Sequence, residues 1–204
     1  GYRFLSGFTL SPFPTFTYQT NGLRLRKTVF MPPGKNATVV LYEVTNPGTE
    51  EAFVRIKPSL NSRHFHSVTE KENPRWDFVQ KPFENGVVVQ PSIPLSALVL
   101  SSTEGRYVVG GGEWIETYFR ADGFRGESSI DHVYQPGFFE TKVNPNESKR
   151  FYLLAAGGKD EGDVQGLFSS LLGGGSEEIG TLYTAELERR RKLLEVFQRQ
   201  HVST

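Results

Sequence analysis

The feature that most constrains the fold is a series of short runs rich in Val, Phe, Tyr and Thr that extends to about residue 157. Proline and glycine separate these runs, a pattern typical of strands joined by turns. No helical pattern lies between them. Roughly ten strands at nearly regular spacing predict an all-β fold, a large antiparallel β-sandwich.

Two segments are predicted to form hairpins. In TFTYQT-NG-LRLRKTVFM, two β-prone runs meet at Asn21-Gly22, a pair that tolerates the positive φ angles of a type I′ turn. ATVVLYEVTN and EAFVRIKPSL are predicted to pair in the same way across Pro47-Gly48.

The pattern becomes helical after residue 157. DEGDVQGLFSSLLGGG predicts a short helix, and the segment from Ser176 onward predicts a long one with Ser176 as its N-cap. Glu186 and Arg190 can pair at i, i+4. Apolar residues at helical spacing form a broken stripe along the long helix: Ile179, Leu182, Tyr183, Leu187, Leu194 and Phe197. We therefore expect a β-sandwich domain at 1–157 and a helical linker at 158–204.

Composition excludes several classes of function. Lys+Arg and Asp+Glu both number 23, so no basic excess is available to neutralise a phosphate backbone, and no nucleic-acid partner is expected. The chain has no cysteine, which excludes disulfides, a thiolate nucleophile and Cys-ligated metal sites, and which agrees with a cytoplasmic location. No signal peptide and no apolar run of about 20 residues is present, so we expect a soluble protein without a membrane partner.

The stretch LNSRHFHSV contains two of the four histidines in the chain. In an extended strand, His64 and His66 share one face and Arg63 points to the other. Zinc needs at least a third ligand, for which His132, His201 or a carboxylate would have to serve. The alternative, in which one histidine packs through a hydrogen bond and the other faces solvent or a partner, is favoured. We therefore predict no metal and no cofactor.

Other motifs give weaker signals. Gly110-Gly111-Gly112 precedes a strand and is not followed by Lys-Ser/Thr, which favours a loop or bulge over a phosphate cradle. No G-x-S-x-G motif supports an esterase-type nucleophile. Trp76 and Trp114 could stack on sugars, but core or interface positions are favoured.

A glycosidase needs two carboxylates that face each other across a sugar. The sequence does not identify such a pair among the acids that flank aromatic residues: Asp77, Glu113, Glu116, Asp122, Glu127 and Asp131.

Three stretches, in this order, together resemble the N-terminal domain of the bacterial and archaeal type of glycogen debranching enzyme, the amylo-α-1,6-glucosidase family. They are GYRFLSGFTLSPFPTFTYQTNGLRLRKTVFM, KPSLNSRHFHSV and YFRADGFRGESSIDHVYQPGFF. The family often has an acidic pair ahead of its Pro-Gly. Here Ile130-Asp131-His132 offers one carboxylate, so only Asp131 is carried over.

The resemblance implies a β-supersandwich domain that precedes an (α/α)6-barrel, whose carboxylates perform the glycosidic chemistry. The Arg-Tyr-His-Gly-Leu type stretch that usually opens the family's domain does not precede Gly1. We therefore expect that the sequence begins inside the domain or that opening strands have been lost.

The function that follows is a non-catalytic accessory domain, which braces the catalytic barrel and shapes the rim of the site for glycogen or another α-glucan. Arg63 is expected to pair with Asp131 or with an acid of the barrel. A stand-alone carbohydrate-binding module and a small metal-dependent β-fold enzyme remain as alternatives. The predicted rim or interface residues are Arg63, His64, His66, Trp76, Asp77, Trp114, Arg125 and Asp131.

Overall fold

The computed structural model describes residues 2–63, 67–69, 77–92, 96–172 and 176–201. Its strands form an eight-stranded antiparallel sheet and a three-stranded sheet, which confirms the predicted all-β sandwich class. The strands are β1 (Leu5–Thr9), β2 (Thr15–Thr20), β3 (Leu23–Phe30), β4 (Ala37–Asn46), β5 (Ala52–Ile56), β6 (Phe78–Phe83), β7 (Gly86–Pro91), β8 (Ala97–Ser102), β9 (Arg106–Tyr118), β10 (Ile130–Val143) and β11 (Glu147–Gly158).

Three α-helices, α1 (Arg120–Phe124), α2 (Glu161–Leu172) and α3 (Ser176–His201), and a 3-10 turn (Tyr2–Phe4) complete the described elements. Helix α2, with 12 residues, and helix α3, with 26 residues, confirm the prediction of a short helix followed by a long one. No helix in these ranges is long and apolar enough to cross a membrane. The chain folds into two compact units. The first comprises residues 1–52, 143–156 and 166–204, and the second comprises residues 53–142 and 157–165.

The first unit contains the strand order β1-β2-β3-β4-β11. The predicted hairpin at Asn21-Gly22 is confirmed, with φ angles of 49° and 78° at the two turn residues. β4 pairs with β3 on one side and with β11 on the other. No residue of β4 is exposed, which accounts for the apolar character of ATVVLYEVTN. Helix α3 packs through Tyr183, whose ring lies 5.0 Å from Phe13 and 5.5 Å from Phe30.

The predicted pairing of β4 with β5 is wrong. β5 lies in the three-stranded sheet, in the order β5-β10-β9. At the end of β4, the side chain of Asn46 accepts a hydrogen bond from Gly48 N at 3.1 Å, which forms an Asx-type turn. The same side chain donates to Glu50 O at 2.8 Å and to Val143 O at 3.3 Å. These bonds fix a loop where the prediction required a hairpin.

The second unit contains β8-β7-β6 and the three-stranded sheet. An aromatic cluster links β6 to β9 and β10: Phe78 lies 4.7 Å from Tyr134 and 5.8 Å from Trp114. Gln80 donates to Tyr134 Oη and accepts from Tyr107 Oη, both at 3.0 Å. This cluster holds β10, the strand that carries Asp131, against its neighbours.

The three consecutive glycines lie inside β9, which continues through them. The register of β9 and β10 shifts between Gln135 and Gly137, opposite the glycines, so the predicted bulge is confirmed. Gly112 has a φ of +76°, a backbone conformation that favours glycine.

Candidate functional site

The candidate site is built on the segment that follows β5, which the structure anchors to β10 at both ends. At one end, Leu60 and Tyr134 exchange backbone hydrogen bonds of 2.8 and 2.9 Å. At the other end, Thr69 N donates to Asp131 Oδ1 at 2.7 Å, and His132 N donates to Thr69 O at 3.2 Å. Leu60 and Thr69, on either side of Arg63 in the sequence, are therefore both held against the same strand.

Asp131 is the centre of this arrangement. Its Oδ2 accepts from Arg63 Nε at 3.0 Å, from Arg63 Nη2 at 2.7 Å and from Asn61 Nδ2 at 3.3 Å. Its Oδ1 accepts from the backbone N–H groups of Thr69 and His132 at 2.7 and 2.9 Å. The side chain is only 2% exposed. A carboxylate with five donors holds the loop together and has no lone pair directed at a substrate.

The hydrogen bonds determine the ionisation of Asp131. Burial by itself would raise the pKa of this carboxyl. The backbone N–H of Thr69, the guanidinium of Arg63 and the backbone N–H of His132 outweigh that effect and hold the pKa below its usual value. Asp131 is therefore ionised at neutral pH and cannot serve as a general acid.

A polar cleft of about 410 Å³ lies beside the Arg63–Asp131 pair. One wall comes from the loop between β9 and β10, where Phe119 N donates to Ser129 O at 2.7 Å and Glu127 N donates to Asp122 O at 3.0 Å. These bonds direct the chain around the helical turn α1 and back to β10. The lining residues are Arg63, Ser67, Val68, Phe119, Asp122, Glu127, Ser128 and Asp131.

The other predicted site residues have different environments. Trp114 is half-buried, with its ring 5.4 Å from Tyr134. Asp77 is exposed, and its backbone oxygen accepts from Ser92 N at 2.7 Å. Arg125 is exposed directly after α1, and the cleft lining given above does not include it. His64, His66 and Trp76 lie outside the described residues.

Sequence reasoning missed the role of Thr69 and the grouping of three acids at one cleft. Thr69 contributes through its backbone, and its hydroxyl donates to Asn61 Oδ1 at 2.8 Å. No residue type or spacing indicates such a role. Asp122 and Glu127 were singled out as acids near aromatic residues, but only the structure brings them to one cleft with Asp131. Among the residues that the structure describes, no three His, Asp or Glu side chains gather into a group that could hold a metal ion.

Comparison with known families decides the classification. The family described as "Glycogen debranching enzyme N terminal" matches residues 1–150, which is most of the chain. The chain belongs to the glycogen debranching enzyme N-terminal family. The Arg63–Asp131 pair and the cleft of this family member both lie within the matched residues. No curated protein matches the sequence.

The solved structures to which this member of the family is similar are larger proteins. A polysaccharide lyase is 14% identical with a TM-score of 0.48, and the match covers 80% of this chain and 24% of the lyase. A bacterial glucoamylase complexed with acarbose is 10% identical with a TM-score of 0.44, covering 87% and 26%. The heparan sulfate lyase HepC from Pedobacter heparinus is 13% identical with a TM-score of 0.46, covering 76% and 22%. The chain thus spans about a quarter of the length of these proteins.

Proposed function

We propose that this chain is the non-catalytic N-terminal domain of a glycogen-debranching glycoside hydrolase of the amylo-α-1,6-glucosidase type. In that protein it braces a catalytic barrel and shapes the rim of the α-glucan site. Membership of the glycogen debranching enzyme N-terminal family supports the class of enzyme. The lack of cysteine is in keeping with a cytoplasmic enzyme.

The observation that carries the proposal is the five-donor environment of Asp131. A catalytic carboxylate must exchange a proton or attack a substrate, and either task needs an accessible oxygen. Both oxygens of Asp131 are instead occupied by donors from the loop and from β10. This pattern is typical of a residue that fixes the position of a loop, which is what the rim of a neighbouring site requires.

Arg63 places a charged side chain beside the buried Asp131. The side chain is 23% exposed while its partner is 2% exposed, so the guanidinium reaches from the buried carboxylate toward the surface. A planar guanidinium is suited to hold an acid or a carbonyl of an adjoining domain as well. Arg63 would therefore keep a fixed position against the barrel.

The test is the substitution Arg63→Ala in the enzyme that carries this domain. Misplacement of a positioning element can cost on the order of 10²-fold in rate, so we expect kcat/KM for a branched glucan to fall by up to about that factor. Arg24→Ala is the matched control, because Arg24 is exposed on β3 in the other unit. Debranching kinetics that match those of the control would refute the rim function.

A further inference from the structure

We propose that the cleft beside Asp131 is itself a binding subsite for one sugar unit of an α-glucan, with Asp122 and Glu127 accepting hydrogen bonds from the sugar hydroxyls and Phe119 covering one face of the ring. The choice of an α-glucan rests on the proposed function. The cleft and its lining residues are observed in the structure and do not depend on that function. Its volume of about 410 Å³ lies within the roughly 300–1,000 Å³ that small-molecule sites occupy.

The charges of the lining residues that the structure describes disfavour an anionic ligand. Asp122, Glu127 and Asp131 contribute three carboxylates, and Arg63 contributes one cation that is already bound to Asp131. Among the lining residues that the structure describes, carboxylates therefore outnumber cations by two. A phosphate or an acidic peptide would be repelled.

Asp122 and Glu127 have acceptor capacity left. Within the described part of the chain, neither side chain makes a hydrogen bond or an ion pair, although the backbones of the two residues are bonded to each other. An ionised carboxylate accepts only, and bonds from hydroxyl donors to it are stronger than neutral ones. Neighbouring hydroxyls of a sugar are donors of this kind.

The rest of the lining matches a sugar better than a cation. Phe119 is 41% exposed, and its ring can offer an apolar surface for the C–H face of a pyranose. Ser67 and Ser128 add hydroxyls that can donate or accept. A calcium ion would need six to eight oxygen ligands. Asp131, whose oxygens are filled, would not supply any.

The experiment is a titration of the 204-residue chain with maltotriose, followed by amide chemical shifts. We expect shifts at Ser67, Phe119, Glu127 and Ser128, with an affinity that Asp122→Asn and Glu127→Gln each weaken about tenfold, the loss expected for one hydrogen bond to a charged group. Glu113→Gln, at an exposed position of β9, is the control and should bind like the unchanged chain.

Three outcomes would overturn the inference. They are an absence of shifts up to the solubility limit of maltotriose, shifts confined to another surface, and shifts that calcium chloride produces but maltotriose does not. The outcome is separable from that of the rim proposal. If Arg63→Ala slows debranching while the cleft does not respond to maltotriose, the rim function stands and the subsite does not. If the cleft binds maltotriose while Arg63→Ala leaves debranching unchanged, the subsite stands and the rim function does not.

Discussion

Arg63 donates through Nε and Nη2 to one oxygen of Asp131, at 3.0 and 2.7 Å, while the other oxygen of Asp131 accepts the backbone N–H of Thr69 at 2.7 Å. The two oxygens of a single carboxylate thus hold the two sides of one loop. Because Asp131 is buried, loss of either set of donors leaves part of a charge without compensation. The predicted effects of substitution follow from this division.

Substitutions at the pair should lower stability in a fixed order. We expect Arg63→Ala to reduce the free energy of unfolding of the chain by about 1–3 kcal/mol, the range for a partly buried hydrogen bond to a charged group. Asp131→Ala should cost more, about 3–5 kcal/mol, because it also removes the acceptor of two backbone N–H groups, those of Thr69 and His132. Urea unfolding measures both. Arg24→Ala should change the free energy of unfolding little. If Arg63→Ala changed it by the same small amount, the bond between Arg63 and Asp131 would not stabilise the chain.

Adjacent glycines in β9 should respond very differently to alanine. A Cβ at Gly112 would lie 2.3 Å from Tyr134 Oη, and the residue has a φ of +76°. A Cβ at Gly111 would have nothing within 4 Å. We expect Gly112→Ala to lower the free energy of unfolding by about 2 kcal/mol or more and Gly111→Ala to change it by less than about 1 kcal/mol. Thermal melts of the two variants provide the comparison, and similar melting temperatures would argue against a strained bulge.

Glu186 should make the stability of the first unit sensitive to acid. Hydrogen bonds from Arg189 lower the pKa of this carboxyl, burial opposes them, and Arg190 adds to the lowering, so the pKa falls to about 2 from the usual 4.5. The unfolded chain then binds more protons than the folded one between these values. The contribution of Glu186 is therefore complete above about pH 4.5 and is lost as the pH falls toward about 2.

The variant Glu186→Gln tests this direction of the pH dependence of stability. At neutral pH we expect it to be about 1–3 kcal/mol less stable than the unchanged chain, and the difference should narrow as the pH falls through that window. Glu188→Gln is the control on the same helix, because Glu188 is exposed. A difference that stays constant down to about pH 2 would show that the Glu186 carboxylate is not held by its arginines.

The chain by itself should hydrolyse no glucan. Both oxygens of Asp131 already accept hydrogen bonds, and the other acids in the described lining of the cleft, Asp122 and Glu127, come from the single segment between β9 and β10. Incubation with a branched glucan, followed by an assay of reducing sugar, should give the same value as a heat-killed sample. Sugar release above that level, abolished by Asp122→Asn or Glu127→Gln, would make the cleft an active site.

The sequence by itself determined what depends on neighbouring residues. Strand-like runs predicted the all-β class, Asn21-Gly22 predicted the turn, and Glu186 four positions before Arg190 predicted an ion pair that the structure contains at 2.8 Å. These predictions are correct because turn geometry and helical spacing depend on only a few neighbouring residues. The resemblance in ordered motifs also reached the right family, since it needs no coordinates.

Only the tertiary structure decided what depends on distant partners. Arg63 and Asp131 were both singled out from the sequence, but the choice of Asp131 over an outside acid required a strand 68 positions away to pass beside the loop. The failed pairing of β4 with β5 has the same origin, because β3 and β11 occupy both sides of β4. Strand pairing and carboxylate burial are competitions among segments far apart in sequence, and local propensity does not rank those competitors.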